Sequence, residues 1–271
     1  MAIDAGGRLR ALRNADGGYP PVAGVPSEPE PTALAALALD DAGARKWLED
    51  RQRNDGGWIL GPDALRNDSA TPLAAIALAP GQRSDLAVDY LVSHRGQALA
   101  NDPRFPHDPN TRGWGWTSAT FGWVEPTAHG LLALRLLRPS VTNEIADAHR
   151  LLEDRECSVG GWNYGNREVL GVQLEPYLQT TAAAVIALQD PADPLVTRGV
   201  AVIERLWNAE RGGLGLAMAL AGLRLVGQAS ADVEDGLTKL VTDTDLLQDG
   251  VSLGWAAIAL GPALERLRVQ A

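Results

Sequence analysis

A turn of the form Gly-Gly-aromatic or Gly-aromatic-Gly recurs along this chain of 271 residues, and it restricts the possible folds more than any other feature. The clearest copies are Asp16-Gly17-Gly18-Tyr19, Asp55-Gly56-Gly57-Trp58, Gly113-Trp114-Gly115-Trp116, Gly160-Gly161-Trp162 and Gly212-Gly213-Leu214-Gly215, and a weaker one runs from Asp249-Gly250 to Gly254-Trp255. Self-similarity with a period of about 45 residues is typical of repeat architectures. We therefore expect a chain of repeated supersecondary units.

Each turn separates two helical patterns of different polarity. A polar, amphipathic segment precedes it and an Ala/Leu-rich segment with few charges follows, which indicates an outer solvated helix leading to an inner buried helix. The predicted outer helices span about 3–13, 41–53, 83–98, 140–154, 195–208 and 231–245. The predicted inner helices span about 31–40, 69–78, 125–137, 178–188, 215–227 and 251–262.

Six such pairs can form a ring, because the first repeat can pack against the last and leave no apolar end exposed. Strand patterns are nearly absent, since the β-branched residues are scattered within helical periodicity. The predicted fold is all-α, a closed (α/α)6 toroid of six helical hairpins and twelve helices. No linker-like composition interrupts residues 1–271, so a single domain is expected.

Composition excludes several classes of function. The net charge of −10 repels phosphates and no basic cluster offsets it, so no nucleic-acid partner is expected. Residues 1–7 include Asp4 and lack the pattern of a signal peptide, and no apolar run reaches the ~18 residues of a membrane span. A cytoplasmic location without a transmembrane segment is expected. The single Cys157 excludes an internal disulfide.

A shared acidic motif opens three predicted inner helices. Its copies are Glu28-Pro29-Glu30-Pro31-Thr32-Ala33, Glu125-Pro126-Thr127-Ala128-His129 and Glu175-Pro176-Tyr177-Leu178-Gln179-Thr180-Thr181-Ala182. Proline suits the first turn of a helix and an acidic residue there complements the helix dipole, so the motif has a structural interpretation. In a ring, however, inner-helix N-termini face one funnel. Glu30, Glu125 and Glu175 are therefore expected to converge.

Aromatic residues precede two of these motifs. The candidates for substrate binding are Trp114, Trp116, Phe121, Trp123, Trp162, Tyr164 and Tyr177, together with Glu28 and Glu175. Ring faces pack apolar chains and stabilise cationic centres. For Trp58 and Trp162, beside the glycine pairs, the alternative is a wedge between neighbouring hairpins.

His129 lies four residues after Glu125, on the same face of a predicted helix. It is a candidate catalytic residue, because it could pair with that carboxylate and carry a proton. The alternative interpretation is a hydrogen-bonded core histidine.

The turns, with Gln52-Arg53-Asn54-Asp55-Gly56-Gly57-Trp58 the best copy, resemble the repeats of squalene and hopene cyclases and of protein prenyltransferase β subunits. The resemblance extends over nearly the whole chain and implies an α/α toroid. Class II terpene cyclases protonate an alkene from the middle Asp of an Asp-x-Asp-Asp-Thr-Ala motif. The resemblance implies that Glu30 or Glu125, which hold that position relative to Thr-Ala, is the general acid.

This chain departs from the cyclase motif at the neighbouring positions. Pro31 or Pro126 replaces the next Asp, and the first Asp corresponds to Glu28 in one copy and Trp123 in the other. The departure bears on the chemistry, because protonating an unactivated alkene demands a strong acid and apolar burial weakens a Glu.

No cofactor or metal is predicted. Protein prenyltransferase β subunits hold zinc with an Asp, a Cys two positions later and a distant His, and Cys157 has no Asp at that offset. Asp40-Asp41 lacks the later Asp of a magnesium-diphosphate site.

The leading hypothesis is therefore a terpene cyclase-like isomerase that binds an isoprenoid or other apolar small molecule. Acid-initiated cyclisation or isomerisation would start from Glu30 or Glu125. The alternatives are a non-catalytic ligand-binding or scaffold toroid, with a protein partner of unknown kind, and a carbohydrate-active (α/α)6 enzyme with paired carboxylates.

Overall fold

The computed structural model describes residues 4–60, 68–98, 106–117, 120–210, 212–243 and 248–270. Within them the inner helices are α2 (Pro29–Leu39), α4 (Thr71–Ala77), α6 (Val124–Leu137), α8 (Leu178–Leu188), α10 (Gly213–Leu225) and α12 (Gly250–Leu260). The outer helices are α1 (Ala5–Ala11), α3 (Ala42–Arg51), α5 (Gln82–Ser93), α7 (Thr142–Asp154), α9 (Pro194–Leu206) and α11 (Ala231–Asp243). All twelve predicted helices are confirmed within a few residues; predicted positions 3 and 244–245 lie outside the described residues.

The inner helices contact one another in chain order. α2 packs against α4, α4 against α6, α6 against α8, α8 against α10 and α10 against α12. α12 in turn packs against α2, so the series of contacts returns to its first member. The predicted all-α architecture of paired helices is confirmed.

The pairing of outer with inner helices differs from the prediction. Each outer helix from α3 to α11 packs mainly on the inner helix before it, and α1 packs mainly on α12. The connections after inner helices are short, as at Asp40–Asp41 between α2 and α3, and a short connection forces antiparallel neighbours together. The glycine turns instead lead the chain to the next inner helix.

The two glycines of a turn are required for different reasons, as Gly56 and Gly57 show. Gly56 has φ +97°, in the left-handed region that only glycine adopts at little cost. Gly57 allows close approach, because a Cβ there would lie 2.8 Å from the ring of Tyr90 on α5. The turn therefore reverses the chain and brings it against an outer helix.

The first aromatic residue of the turn makes the same hydrogen bond in four repeats. Its backbone N–H donates to a threonine Oγ1 of the next inner helix: Tyr19 to Thr32 (2.9 Å), Trp58 to Thr71 (3.2 Å), Trp114 to Thr127 (3.0 Å) and Trp162 to Thr181 (3.0 Å). The three indole Nε1 atoms donate to outer-helix carbonyls, those of Leu48, Leu91 and Leu152. These aromatic residues thus tie each turn to both layers of the ring.

One apolar cluster joins all six inner helices. Leu34, Leu73, Leu132, Ala184, Leu220 and Ile258 contribute to it and are fully buried. Small residues let these helices approach closely, and a Cβ at Gly254 would lie only 2.6 Å from that of Leu34. The ring is therefore filled with side chains over much of its length.

A short hairpin was not predicted. β1 (Glu168–Val169) pairs antiparallel with β2 (Val172–Gln173), and Leu170 at its tip is 88% exposed. The hairpin lengthens the fourth turn: Trp162 and Thr181 are 19 residues apart, against 13 for the other three pairs. Across the described residues, no helix has the length and apolar character needed to cross a membrane.

Candidate functional site

The repeated threonine hydrogen bond defines equivalent positions on the inner helices. Two residues before the threonines lie Glu30, Ser69, Glu125 and Gln179, and the second residues of α10 and α12 are Leu214 and Val251. Five of these six side chains keep accessible surface and Glu125 is 6% exposed, whereas the residue that follows each one is buried. We call these six residues the mouth, because they hold equivalent positions at or just before the starts of the six inner helices.

The mouth has a polar and an apolar side. Glu30, Ser69, Glu125 and Gln179 belong to the starts of the four consecutive inner helices α2 to α8, and Leu214 and Val251 come from α10 and α12. Because all six residues lie in or just before the first turns of their helices, the positive ends of the helix dipoles face the same region. The mouth can therefore hold a ligand that is apolar on one side and polar on the other.

Glu30 and Glu125 share this region, as predicted from the sequence. Burial raises the pKa of Glu30 to about 7, and the nearby charges of Glu125, Glu28 and Asp249 contribute to this rise. Burial also raises the pKa of Glu125 to about 7, while a hydrogen bond from Gln179 Nε2 to its Oε2 (2.9 Å) acts against this rise. Both carboxyls are therefore partly protonated at neutral pH.

Among the residues that the structure describes, no basic side chain pairs with these two carboxyls. Neither Glu30 nor Glu125 forms an ion pair with any Lys, Arg or His in the part of the chain that the structure describes. A carboxylate buried without a cationic partner is costly, and it takes up a proton instead. Glu28, directly before α2, also has a pKa raised by burial.

His129 lies one helical turn beyond Glu125 and is 4% exposed. Burial lowers the pKa of His129 to about 4, so its imidazole is neutral at physiological pH. The predicted pairing with Glu125 is not observed: Glu125 bonds to Gln179 on α8, and His129 Nε2 has no hydrogen-bond partner among the described residues. The imidazole instead stacks on Trp255 of α12, with ring centroids 6.0 Å apart.

The aromatic residues before α6 lie near its start. Trp123 is the residue directly before α6, and its ring centroid is 4.9 Å from that of Phe121. Trp123, Phe121 and Trp116 are all partly accessible. Trp123 is two residues from Glu125 in the chain, and its ring packs with that of Phe121.

The other four predicted aromatic residues fall into a buried pair and an exposed pair. Trp114 and Trp162 are buried between the helix layers by the hydrogen bonds described above, so the wedge interpretation applies to both, as it does to Trp58. Tyr164 and Tyr177 contact each other at 5.2 Å and are 53% and 50% exposed. Tyr177 is the residue directly before α8, and the Tyr164 carbonyl accepts a hydrogen bond from the N–H of Val124, the first residue of α6 (3.1 Å). Both tyrosines therefore lie at the starts of these two inner helices.

Glu175 does not join Glu30 and Glu125. It is exposed and lies six residues before Thr181, so its distance from the threonine differs from that of the other two acids. Gln179 holds the equivalent position and contacts Glu125. Counting back two residues from each threonine would have identified Gln179 and Ser69 from sequence, whereas Trp255 carried no comparable signal.

No protein-family model matches the chain, and no curated protein matches it in sequence. Two solved structures share its fold. The apo form of a variant of the type II terpene cyclase MstE from Scytonema matches with a TM-score of 0.54 at 16% identity, covering 96% of this chain and 77% of the other. A protein from Actinoplanes matches with a TM-score of 0.51 at 17% identity, covering 96% and 82%. The chain therefore has a terpene cyclase-like fold.

Proposed function

We propose that this protein binds an isoprenoid or another apolar substrate at the mouth and transfers a proton to it, with Glu30 or Glu125 as the acid. The observation that carries the proposal is a pair of neighbouring carboxyls, Glu30 and Glu125, whose pKa values burial raises to about 7 and which have no cationic partner among the described residues. A fold shared with a type II terpene cyclase supports it.

The carboxyls suit reversible proton transfer. With a pKa of about 7, each is a competent donor when protonated and a competent acceptor when ionised. One carboxyl adds its proton to a carbon–carbon double bond of the substrate and leaves a carbocation. Loss of a proton from a neighbouring carbon to a carboxylate then forms the new double bond, so that isomerisation or cyclisation consumes no co-reactant.

The aromatic rings and the weak acidity of the carboxyls indicate which substrates suit this site. The ring faces of Trp116, Phe121 and Trp123 can stabilise a developing cation. A carboxyl with a raised pKa is a weaker acid than an ordinary one, so an activated double bond, whose cation is delocalised, matches it better than an isolated alkene.

A non-catalytic ligand-binding toroid is the second candidate. It is favoured by the filled centre of the ring, where His129 stacks on Trp255 and little depth remains for a long folded substrate. This candidate predicts a bound apolar ligand that leaves the protein chemically unchanged.

Native mass spectrometry and product analysis separate the two candidates. The wild-type protein, Glu30→Gln, Glu125→Gln and the double variant are incubated with geraniol, farnesol, geranylgeraniol and squalene. Glu175→Gln serves as the matched control, because it changes an exposed Glu of the same motif.

Proton transfer predicts that the double variant loses at least about 100-fold in rate while it still binds ligand. Binding without any product in the wild-type protein would support the second candidate. Unchanged conversion by the double variant would refute the role of the two carboxyls.

A further inference from the structure

The contact between His129 and Trp255 crosses the ring. In the order of contacts α6 and α12 are three places apart among six inner helices, so they stand on opposite sides. Each residue is the sixth of its helix, four positions beyond the mouth residues Glu125 and Val251. At 1.5 Å per residue, the stacked rings lie about 6 Å below the mouth.

Apolar side chains follow this contact on both helices. Leu132 and Ala133 on α6 and Ile258 and Ala259 on α12 are fully buried. Ala35 on α2 is fully buried as well, so apolar side chains pack beneath the contact. His129 and Trp255 together are therefore called the floor.

One nitrogen of the floor makes no hydrogen bond to the described residues. His129 Nε2 is buried and without a hydrogen-bond partner among the described residues. Buried polar groups are nearly always paired, and an unpaired one is costly. Because apolar side chains occupy the region beneath, the mouth above is the side from which a partner can arrive.

Building on the proposed function, we propose that the floor receives the leading end of the substrate, which stacks on Trp255 and forms a hydrogen bond with His129 Nε2. The ligand class is an apolar molecule that carries one hydrogen-bonding group, a hydroxyl or a carbonyl, at its inner end. A neutral imidazole can donate or accept, depending on its tautomer, so both groups fit. The apolar remainder of the molecule extends towards the mouth, between Leu214 and Val251.

Equilibrium binding of matched ligands tests this assignment without any need for turnover. Geraniol and farnesol are compared with hydrocarbons of the same chain length that lack the hydroxyl. The variant His129→Phe keeps an aromatic ring at the floor and removes the nitrogen. Trp207→Phe, at the end of an outer helix, is the control.

The wild-type protein and the control are expected to bind each alcohol about tenfold more tightly than its hydrocarbon. His129→Phe is expected to bind both equally, at the affinity of the hydrocarbon. An alcohol preference retained in His129→Phe, or absent from the wild-type protein, overturns the assignment.

A second measurement requires no substitution. The chain has four histidines, so nitrogen-15 labelling gives few imidazole signals. Farnesol is expected to shift the Nε2 resonance of His129, whereas the matched hydrocarbon leaves it in place; equal shifts with both ligands contradict the hydrogen bond. The double variant at Glu30 and Glu125 should keep the alcohol preference, so this inference and the proposed acid role fail independently.

Discussion

Replacing Glu30 by Gln should stabilise the protein at alkaline pH and have little effect near pH 5. In the unfolded chain Glu30 ionises near its ordinary pKa of 4.5, whereas the folded protein holds the proton until the pH approaches the raised pKa of about 7. The folded state therefore binds more protons between these values. By linkage, the free energy of unfolding falls as the pH rises through this window.

The size of the effect follows from the two pKa values. Each pH unit between them changes the free energy of unfolding by about 1.4 kcal/mol, so the loss above pH 7 reaches at most about 3 kcal/mol. The glutamine side chain carries no charge at any pH, so the variant should recover most of this energy at pH 8. His129 has a lowered pKa and gives an opposite slope between about 4 and 6.5, but it is common to both proteins and cancels in the difference.

Urea denaturation at pH 5, 6, 7 and 8 provides the measurement. The difference in free energy of unfolding between Glu30→Gln and the wild-type protein should grow from pH 5 to about pH 7 and level off towards pH 8. Glu175→Gln, at an exposed site, should show no such growth. A difference that is constant with pH, or a variant less stable than wild type at pH 8, would refute the assignment of Glu30 as a buried acid.

Three further predictions concern the repeat and the site. Thr127→Val removes the acceptor of the buried Trp114 N–H and should lower the free energy of unfolding in urea by about 1–3 kcal/mol. Thr197→Val, on the exposed face of α9, should lower it by less than about 0.5 kcal/mol. Equal losses would contradict the role of the repeated bond. Gly56→Ala should destabilise the protein by more than Gly24→Ala, measured as the difference in melting temperature, because both have positive φ but only at Gly56 would a Cβ meet the Leu86 carbonyl oxygen at 2.2 Å. If proton donation limits the reaction, the rate should fall as the pH rises past about 7, and a pH-independent rate between 6 and 9 would argue against a carboxyl donor.

Local sequence determined the helices and their order. Polar and apolar segments alternate with helical periodicity, and glycine pairs punctuate them, so all twelve helices could be placed before any contact was known. The convergence of Glu30 and Glu125 was also predictable, because both stand two residues before a threonine that holds the preceding turn. Equivalent positions in a repeat occupy equivalent places in the ring.

Contacts between distant parts of the chain determined where Glu175, Trp114 and His129 lie. The hairpin between Trp162 and α8 displaced Glu175 from the mouth, and the wedge position of Trp114 depends on an outer helix formed earlier in the chain. The stacking of His129 on Trp255 exists only because α6 and α12 face each other across the ring. Periodicity describes which face of a helix is buried, but only the assembled ring determines which side chain lies opposite. For His129 that side chain is Trp255, which limits the depth of the site. Because an indole ring lies there, His129 Nε2 has no hydrogen-bond partner among the described residues.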